Sequence, residues 1–290
     1  MTHSDRPFQQ IAIVGLGLIG GSWGLALKRQ GYAGTRVGCD RESILKRALV
    51  GGAIDRAEPD AAASVRDADL VILAAPASAI LALLGQLKGA ISPRALVTDV
   101  GSTKVLICDR AYEVFGNAPL FLGGHPLAGK ERSGFESAEP KLFDNASYAL
   151  VPRVPQDLED PRVKRFISLV SDFGAKPFVT NAHSHDRAVA YLSHLPQLLS
   201  TGLASLIAEA GPEPLPLELA AGGFRDVTRL AESPYPLWRD ICRTNLQNIR
   251  EALDAFLAKL ERLKQDLPGE ALERDFIQAA KLRAGLREKP

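Results

Sequence analysis

The sequence predicts an α/β protein in which a doubly wound parallel sheet is followed by an all-helical region. Three observations predict this class. Apolar runs that suit buried strands alternate with helical segments up to residue 180, a glycine-rich loop joins the first strand to the first helix, and no strand pattern occurs afterwards. We therefore expect two domains, residues 1–180 and residues 181–290.

The glycine-rich loop follows the apolar run at residues 11–14 and has the pattern G-x-G-x-x-G. In such a unit the first glycine permits a tight turn, the second lets the backbone approach a pyrophosphate, and the third lets the helix pack on the strand. The phosphate lies at the helix N-terminus, whose free N–H groups favour an anion. A glycine-rich turn without a ligand is the alternative. The pattern predicts a Rossmann-type dinucleotide site formed by Gly15, Gly17, Leu18, Ile19 and Gly20.

An acidic residue at the end of the next strand indicates which dinucleotide binds. Asp40 lies 20 residues after Gly20, where a carboxylate accepts hydrogen bonds from the adenosine ribose. The same carboxylate would repel the 2′-phosphate of NADP, although Arg41 would soften that preference. We expect NAD, with NADP less favoured. The ends of later strands add Ala75, Pro76 and Ser102 to the expected cofactor site.

Composition excludes several classes of partner. The chain is 46% hydrophobic and 24% charged with a net charge of +1, so neither nucleic acid nor an anionic membrane is expected to bind. Three scattered cysteines have no disulfide or zinc spacing and fit a reducing compartment. The uncharged run at residues 11–27 contains five glycines and lacks the basic start of a signal peptide. We expect a cytoplasmic protein.

Strands and helices alternate at short intervals in the first region, which predicts right-handed crossovers and a parallel sheet. Two further strands, at residues 147–151 and 176–179, are expected to extend that sheet. Past residue 180 we expect one long helix over residues 181–209, which Pro196 either kinks or breaks, and another over residues 234–266.

The second long helix carries apolar residues at spacings of three and four: Leu246, Ile249, Leu253, Phe256, Leu257, Leu260 and Leu263. Such a stripe packs either on the core of its own chain or on a second subunit. A helical region of about 110 residues has too little volume to cover so many apolar faces, which favours a homodimer through this region.

Five side chains are candidates for chemistry beside a dinucleotide: His125, Ser102, His194, Ser193 and Arg229. His125 follows a strand, and a neutral imidazole with a pKa of about 6.5 suits removal of a hydroxyl proton as hydride leaves the same carbon. A structural loop histidine is the alternative. Ser102 would orient His125, bridge to the substrate or cap the next helix. Arg229 would bind a carboxylate or form a surface salt bridge.

His183, His185 and Asp186 form a candidate metal site by residue type alone. The two histidines are two residues apart, so they do not share a helix face. Nothing else in the sequence completes a ligand set, and no metal is expected.

A series of motifs runs in order from about residue 10 to about residue 250: GLGLIGGS, Asp99-x-Gly-Ser-x-Lys104, Gly124-His-Pro-x-Ala-Gly129 with Glu131-x-Ser-Gly134, His185-Asp186, Ser193-His-Leu-Pro196, and Phe224-Arg-Asp-x-Thr-Arg229 through Trp238-Arg-Asp-Ile241. Together they resemble the prephenate/arogenate (cyclohexadienyl) dehydrogenases of tyrosine biosynthesis. The resemblance implies an oxidative decarboxylation. Hydride passes from the ring carbon that bears the hydroxyl group to the nicotinamide, CO2 leaves, and the ring becomes aromatic.

The resemblance also implies roles for single residues and a helical dimerisation domain. His125 would accept the hydrogen bond of the ring hydroxyl and act as the base, with support from Ser102. Arg229 would pair with a substrate carboxylate. The other implied substrate contacts are Ser193, His194 and, at the mouth of the pocket, Glu131.

One position departs from the family pattern. Members that use prephenate often have a second histidine after Ser-His-Leu-Pro, and this chain has Gln197 there. A histidine would pair with the side-chain carboxylate and keto group of prephenate, whereas an uncharged glutamine suits the ammonium group of arogenate. We expect arogenate use or dual use.

Two other functions stay open at this point. A 3-hydroxy acid dehydrogenase typically relies on a lysine in the helical domain, and residues 191–197 contain none. A non-catalytic dinucleotide sensor would keep the glycine loop but would need neither His125 nor Arg229.

Overall fold

The computed structural model describes residues 8–130, 132–209, 215–267 and 269–287. Within these ranges, eight strands form one sheet in the order β3-β2-β1-β4-β5-β6-β7-β8. The strands are β1 Gln10–Val14, β2 Thr35–Cys39, β3 Arg56–Ala57, β4 Leu70–Leu73, β5 Leu96–Asp99, β6 Leu120–Pro126, β7 Ser147–Val151 and β8 Lys176–Val179. The first six run parallel, and the predicted α/β class is confirmed.

Helices cover both faces of this sheet. Alternate residues of a strand point to opposite faces, and accordingly Ile11 and Ile13 join one apolar cluster while Ala12 and Val14 join another. Trp23 lies inside the first cluster and stacks on Phe166 with a centroid distance of 5.8 Å. The helices of this region are α1 Leu18–Arg29, α2 Glu42–Gly51, α3 Ala61–Val65, α4 Ala77–Gln86, α5 Val105–Phe115 and α6 Pro161–Asp172.

The last two strands extend the sheet, as predicted, but they do not continue the parallel order of the first six. Strand β7 pairs antiparallel with β6, and β8 runs parallel to β7. A parallel pair requires a crossover that returns the chain to the opposite end of the sheet. Among the described residues between β6 and β7, the only helical segment is a 3-10 turn at Phe135–Ser137, so the chain enters β7 from the edge at which β6 ends.

The second region is helical, as predicted, but both long helices are interrupted. Its helices are α7 Ala182–Val189, α8 Leu195–Ala208, α9 Gly222–Thr228, α10 Tyr235–Thr244, α11 Leu246–Gln265 and α12 Glu270–Arg287. A π-helical segment, Ala190–His194, separates α7 from α8, and Pro196 lies in the first turn of α8, where its missing N–H costs no bond. Asn245 separates α10 from α11 because its backbone leaves the helical region of φ and ψ.

The apolar stripe on α11 divides into two parts. Ile249 is buried, and Leu253 and Phe256 pack beside it on the core of the helical region. Leu257 and Leu260 are exposed by 59% and 44%, so this chain alone does not cover that end of the stripe. Within the described ranges, no helix has the length and apolar character needed to cross a lipid bilayer.

Candidate active site

The glycine loop has the geometry that a dinucleotide requires. Gly15 has a φ of +97°, which permits the turn, and a Cβ atom on Gly20 would lie 1.9 Å from the Gly15 carbonyl oxygen. A Cβ atom on Gly17 would meet no described atom within 4 Å, so packing within the protein does not require glycine there. Gly17 precedes α1, whose first turn has no acidic residue. The open space at Gly17 and the uncapped N–H groups suit a pyrophosphate.

Two other elements of the predicted cofactor site lie beside this loop. The Asp40 carboxylate accepts hydrogen bonds from the backbone N–H groups of Leu16 at 2.8 Å and Arg41 at 2.7 Å, which ties the end of β2 to the loop. The Arg41 side chain is 85% exposed. Ala75 touches the loop as well, since a Cβ atom on Gly15 would lie 3.1 Å from its backbone nitrogen, and Pro76 precedes α4.

His125 lies inside β6 rather than after it, which corrects the predicted position. Strand β6 continues to Pro126 because β7 pairs with it, and His125 is opposite Ala149. The imidazole is 9% exposed. Its Nδ1 lies 2.8 Å from Nε2 of His185, so Nε2 of His125 is the ring nitrogen that remains for a ligand.

His185 connects His125 to a buried carboxylate. Nδ1 of His185 lies 2.8 Å from Oδ1 of Asp186. The Asp186 carboxylate also accepts hydrogen bonds from the backbone N–H groups of Lys104 at 2.7 Å and Val105 at 2.9 Å, at the start of α5. A carboxylate at a helix N-terminus is favoured by the helix dipole. Asp186 therefore joins the helical region to the sheet region directly behind His125.

The structure contradicts the capping interpretation of Ser102. Helix α5 begins after Lys104, without a side-chain cap from its own segment, and Asp186 accepts its first N–H groups instead. No hydrogen bond joins Ser102 to His125 among the described residues, where His185 is the partner of the imidazole. A bridge from Ser102 to cofactor or substrate stays a prediction.

A fully buried ion pair supports the backbone next to His125. Lys104 and Asp99 both have 0% side-chain exposure, and the Lys104 ammonium donates to the Asp99 carboxylate and, at 2.7 Å, to the carbonyl oxygen of Gly124. Asp99 accepts further hydrogen bonds from the N–H groups of Gly101 at 2.8 Å and Gly124 at 3.1 Å. Both the N–H group and the carbonyl oxygen of Gly124 are therefore hydrogen-bonded to this ion pair, which restrains the position of His125.

His194 lies on the other side of the same network. It is 1% exposed, its Nδ1 is 3.3 Å from Nδ2 of Asn245, and its ring meets Trp238 edge-on at a centroid distance of 5.9 Å. Asn245 also donates to the Asp186 carbonyl oxygen at 2.7 Å, so the break between α10 and α11 serves a contact with α7.

Burial keeps both histidines neutral. Desolvation lowers the pKa of His125 well below its usual 6.5, and electrostatic interactions with His185, Lys104 and His194 lower it further. Desolvation also lowers the pKa of His194 to about 4, against an opposing effect of Asp186. A neutral imidazole at position 125 has the protonation state that a general base requires.

Arg229 lies apart from this buried network, on a cavity of about 480 Å³. It begins a 3-10 segment, Arg229–Glu232, and its side chain is exposed. The cavity is lined by Lys130, Arg132, Glu136, Ser137, Arg229 and Glu232. Three of these six side chains are cationic and two, Glu136 and Glu232, are acidic, so the lining is mixed with a small excess of positive charge. Ser193 is exposed in the π-helical segment, and Glu131 lies outside the described residues.

Gln197 is 4% exposed and connects α8 to the segment that carries Arg229. Its amide nitrogen donates to the carbonyl oxygen of Leu230 at 2.7 Å and to the Thr201 hydroxyl at 3.2 Å. Because the Leu230 carbonyl oxygen can only accept a hydrogen bond, the atom of the Gln197 side-chain amide that faces it must be the nitrogen. The carbonyl oxygen of Gln197 has no hydrogen bond to any described residue and remains an acceptor.

Family models cover most of the chain. A model described as the nucleotide-binding domain of prephenate dehydrogenase matches residues 23–179, and one described as its dimerization domain matches residues 181–282. The chain belongs to the prephenate dehydrogenase family. A prephenate dehydrogenase from Lactococcus lactis subsp. cremoris is 34% identical over 288 residues, which are 96% of this chain and 77% of that protein.

Solved structures of the prephenate dehydrogenase family have the same fold. Prephenate dehydrogenase from A. aeolicus, in complex with hydroxyphenyl propionate and NAD+, matches with a TM-score of 0.87 at 30% identity, over 98% of this chain and 100% of that one. Arogenate dehydrogenase from Synechocystis matches with a TM-score of 0.78 at 30% identity, over 97% and 99% of the two chains. The first region is therefore a nucleotide-binding domain and the second is helical. Membership of the prephenate dehydrogenase family, and not this architecture, decides against a 3-hydroxy acid dehydrogenase.

Several residues of the candidate site have no role that the sequence alone predicts. In the sequence, His185 and Asp186 stand out only as a motif of the resemblance and as a metal site by residue type, and Lys104 only as part of a motif. Lys130 and Arg132 on the cavity were not considered. The signal that was available was the order of the motifs, because His185-Asp186 and Asp99-x-Gly-Ser-x-Lys104 both belong to the resemblance.

Proposed function

We propose that this chain catalyses the NAD-dependent oxidative decarboxylation of a cyclohexadienyl substrate, prephenate or arogenate, in tyrosine biosynthesis. The observation that carries the proposal is His125, a buried, neutral imidazole whose Nδ1 is held by His185 and whose Nε2 remains for a substrate. Family membership supports the choice of reaction. A non-catalytic sensor would not need this arrangement.

His125 accepts the proton of the ring hydroxyl at Nε2 as the C–H bond on the same carbon breaks. NAD, held by the residues named below, would supply the acceptor for the hydride of that C–H bond and its two electrons. The bond to the ring carboxylate then breaks, CO2 leaves, and the electron pair of that bond makes the ring aromatic. The ring oxygen recovers its proton from His125, so the imidazole ends the cycle neutral. Ser102 supports this proton transfer by a bridge to the substrate or cofactor.

The residues proposed to hold NAD are the glycine loop, Ala75, Pro76, Ser102, Asp40 and Arg41. The space at Gly17 supports a pyrophosphate at the start of α1. Asp40 supports NAD over NADP, because its carboxylate is fixed by two backbone N–H groups and would repel a 2′-phosphate. Arg41 is solvated and would weaken this preference without reversing it.

Arg229 is proposed to pair with a substrate carboxylate, with Ser193, His194 and Glu131 as further contacts. The cationic side chains of the cavity beside Arg229 outnumber its two carboxylates, which supports an anionic substrate. Gln197 is proposed to favour arogenate or to allow dual use. Its free carbonyl oxygen accepts N–H groups, which an ammonium group supplies and a keto group does not.

A homodimer through the helical domain is also proposed. The match to a dimerization domain and the exposed end of the α11 stripe support it. The three cysteines, Cys39, Cys108 and Cys242, are free thiols, which supports a reducing compartment such as the cytoplasm. The domain boundary near residue 180 remains a proposal.

Nicotinamide reduction at fixed enzyme concentration, with prephenate or arogenate and with NAD or NADP, tests the reaction. We expect turnover with arogenate and NAD, with or without turnover of prephenate. Absence of reduction in all four combinations, with a folded protein that binds NAD, would overturn the proposed reaction. Faster turnover with NADP than with NAD would overturn the role of Asp40.

A further inference from the structure

We propose that His185 and Asp186 form a positioning pair that holds His125 with its proton on Nδ1 and a free lone pair on Nε2. The inference rests on the proposed function, in which that lone pair accepts the hydroxyl proton. It gives a role to two buried residues that the reaction scheme above does not use.

The Asp186 carboxylate determines the first step. Its two oxygens accept hydrogen bonds from the backbone N–H groups of Lys104 and Val105, which can only donate. Asp186 is 1% exposed, so water does not compete for these oxygens. An acceptor at Oδ1 requires a donor at Nδ1 of His185, 2.8 Å away. The proton of His185 therefore lies on Nδ1.

The second step follows from the single proton of a neutral imidazole. With Nδ1 protonated, Nε2 of His185 has a lone pair and accepts a hydrogen bond. Its partner is Nδ1 of His125 at 2.8 Å, which must donate. A neutral His125 then carries no proton on Nε2. A doubly protonated His185 would reverse the last bond and place the proton of His125 on Nε2, which the test below distinguishes.

The third step concerns the charge that forms during the reaction. When Nε2 of His125 gains the hydroxyl proton, the proton on Nδ1 moves toward Nε2 of His185, and the positive charge approaches Asp186. One O–H bond breaks and one N–H bond forms at His125, and the transfer is reversed when the ring oxygen recovers the proton. The nearby Lys104 ammonium opposes this charge, and its ion pair with Asp99 offsets part of that effect.

The pair also makes the orientation of His125 depend on the contact between the helical region and the sheet region. His185 and Asp186 lie on α7 of the helical region, whereas His125, Lys104 and Val105 belong to the sheet region. The hydrogen bonds exist only where α7 packs on the start of α5. His125 is therefore oriented by the helical domain, which also carries Arg229.

Variants at position 185 test the pair through kcat and KM. A glutamine places its Oε1 near the position of Nε2 and can accept from Nδ1 of His125, whereas a leucine cannot. We expect His185→Leu to lower kcat about 100-fold and His185→Gln about 10-fold or less, with KM within about threefold in both. The matched control is His183→Leu, an exposed histidine on the same helix, which should retain wild-type kcat.

The tautomer is read directly by nitrogen NMR of protein labelled with 15N-histidine, with His125→Asn to assign the resonances. We expect Nδ1 of His125 to be protonated and Nε2 unprotonated in the wild type, and a mixture of tautomers in His185→Leu. A proton on Nε2 in the wild type would overturn the inference. So would a kcat of His185→Leu within about twofold of wild type, or equal losses in the leucine and glutamine variants.

The NMR and kinetic measurements distinguish a failure of this inference from a failure of the proposed function. If the protein reduces NAD with neither substrate, the NMR spectrum still reports the tautomer of His125. If His125→Asn turns over normally, the role of His125 as the base fails, whatever tautomer the spectrum shows.

Discussion

Replacing Lys104 by methionine should destabilise the folded protein strongly and should also lower its kcat. The methionine has nearly the same length but no ammonium group, so Asp99 loses its counter-ion at a site with 0% exposure. Two backbone hydrogen bonds to Asp99 remain, from Gly101 and Gly124. The carbonyl oxygen of Gly124 loses its partner at the same time.

Removing one partner of a buried ion pair costs about 3–5 kcal/mol, because the other charge stays in a low dielectric without compensation. At about 2–4 °C per kcal/mol for a domain of this size, the midpoint of thermal unfolding should fall by about 6–20 °C. Gly124 precedes His125, so a shift of this backbone also displaces the imidazole. We expect kcat to fall about 10-fold or more at a temperature where the variant is folded.

Urea unfolding of the wild type and the variant measures the free energy directly. The exposed Lys141→Met is the control and should change stability by less than about 0.5 kcal/mol. Adding Asp99→Asn to Lys104→Met removes the uncompensated charge and should recover about 1 kcal/mol or more. A loss below about 1 kcal/mol for Lys104→Met would refute the reasoning, because it would mean that water solvates Asp99.

Four further changes test the proposed site. His125→Asn should lower kcat about 100-fold or more, because it removes the base, while fluorescence titration shows unchanged NAD binding. Arg229→Ala should weaken substrate binding by about 2 kcal/mol or more, measured as a rise in KM, because a charge-assisted hydrogen bond is lost. Gln197→His should raise the ratio of kcat/KM for prephenate to that for arogenate. Lowering the pH from about 6.5 to about 4 should reduce the free energy of unfolding, measured in urea. In this range His194 stays neutral in the folded state, with a pKa of about 4, whereas it binds a proton in the unfolded chain.

Each of these expectations has an outcome that contradicts it. Near-normal turnover of His125→Asn would remove its role as the base. An unchanged KM of Arg229→Ala with both substrates would show that the arginine does not bind the carboxylate. A constant substrate ratio in Gln197→His would separate that position from specificity, and a stability that is flat from pH 7 to pH 4 would show that His194 is solvated.

The sequence by itself determined the features that depend on neighbours along the chain. The turn at Gly15, the open space at Gly17 and the helix that follows all arise within a few residues, and so the glycine loop was predicted correctly in place and geometry. The alternation of apolar runs with helical segments likewise predicted the first six parallel strands, because burial on both faces leaves a continuous apolar signature.

The tertiary structure alone decided the features that depend on distant contacts. His125 and His185 are 60 residues apart, and Lys104 and Asp186 are 82 apart, and no periodicity records which side chains of separate elements will meet. The break at Asn245 coincides with its hydrogen bond to Asp186, and the direction of β7 follows from the connection that precedes it. Residue types and motif order predict His125 as a candidate, whereas the packing of α7 on α5 decided that Nδ1 of this histidine is occupied by His185 and that Nε2 is the ring nitrogen available to a ligand.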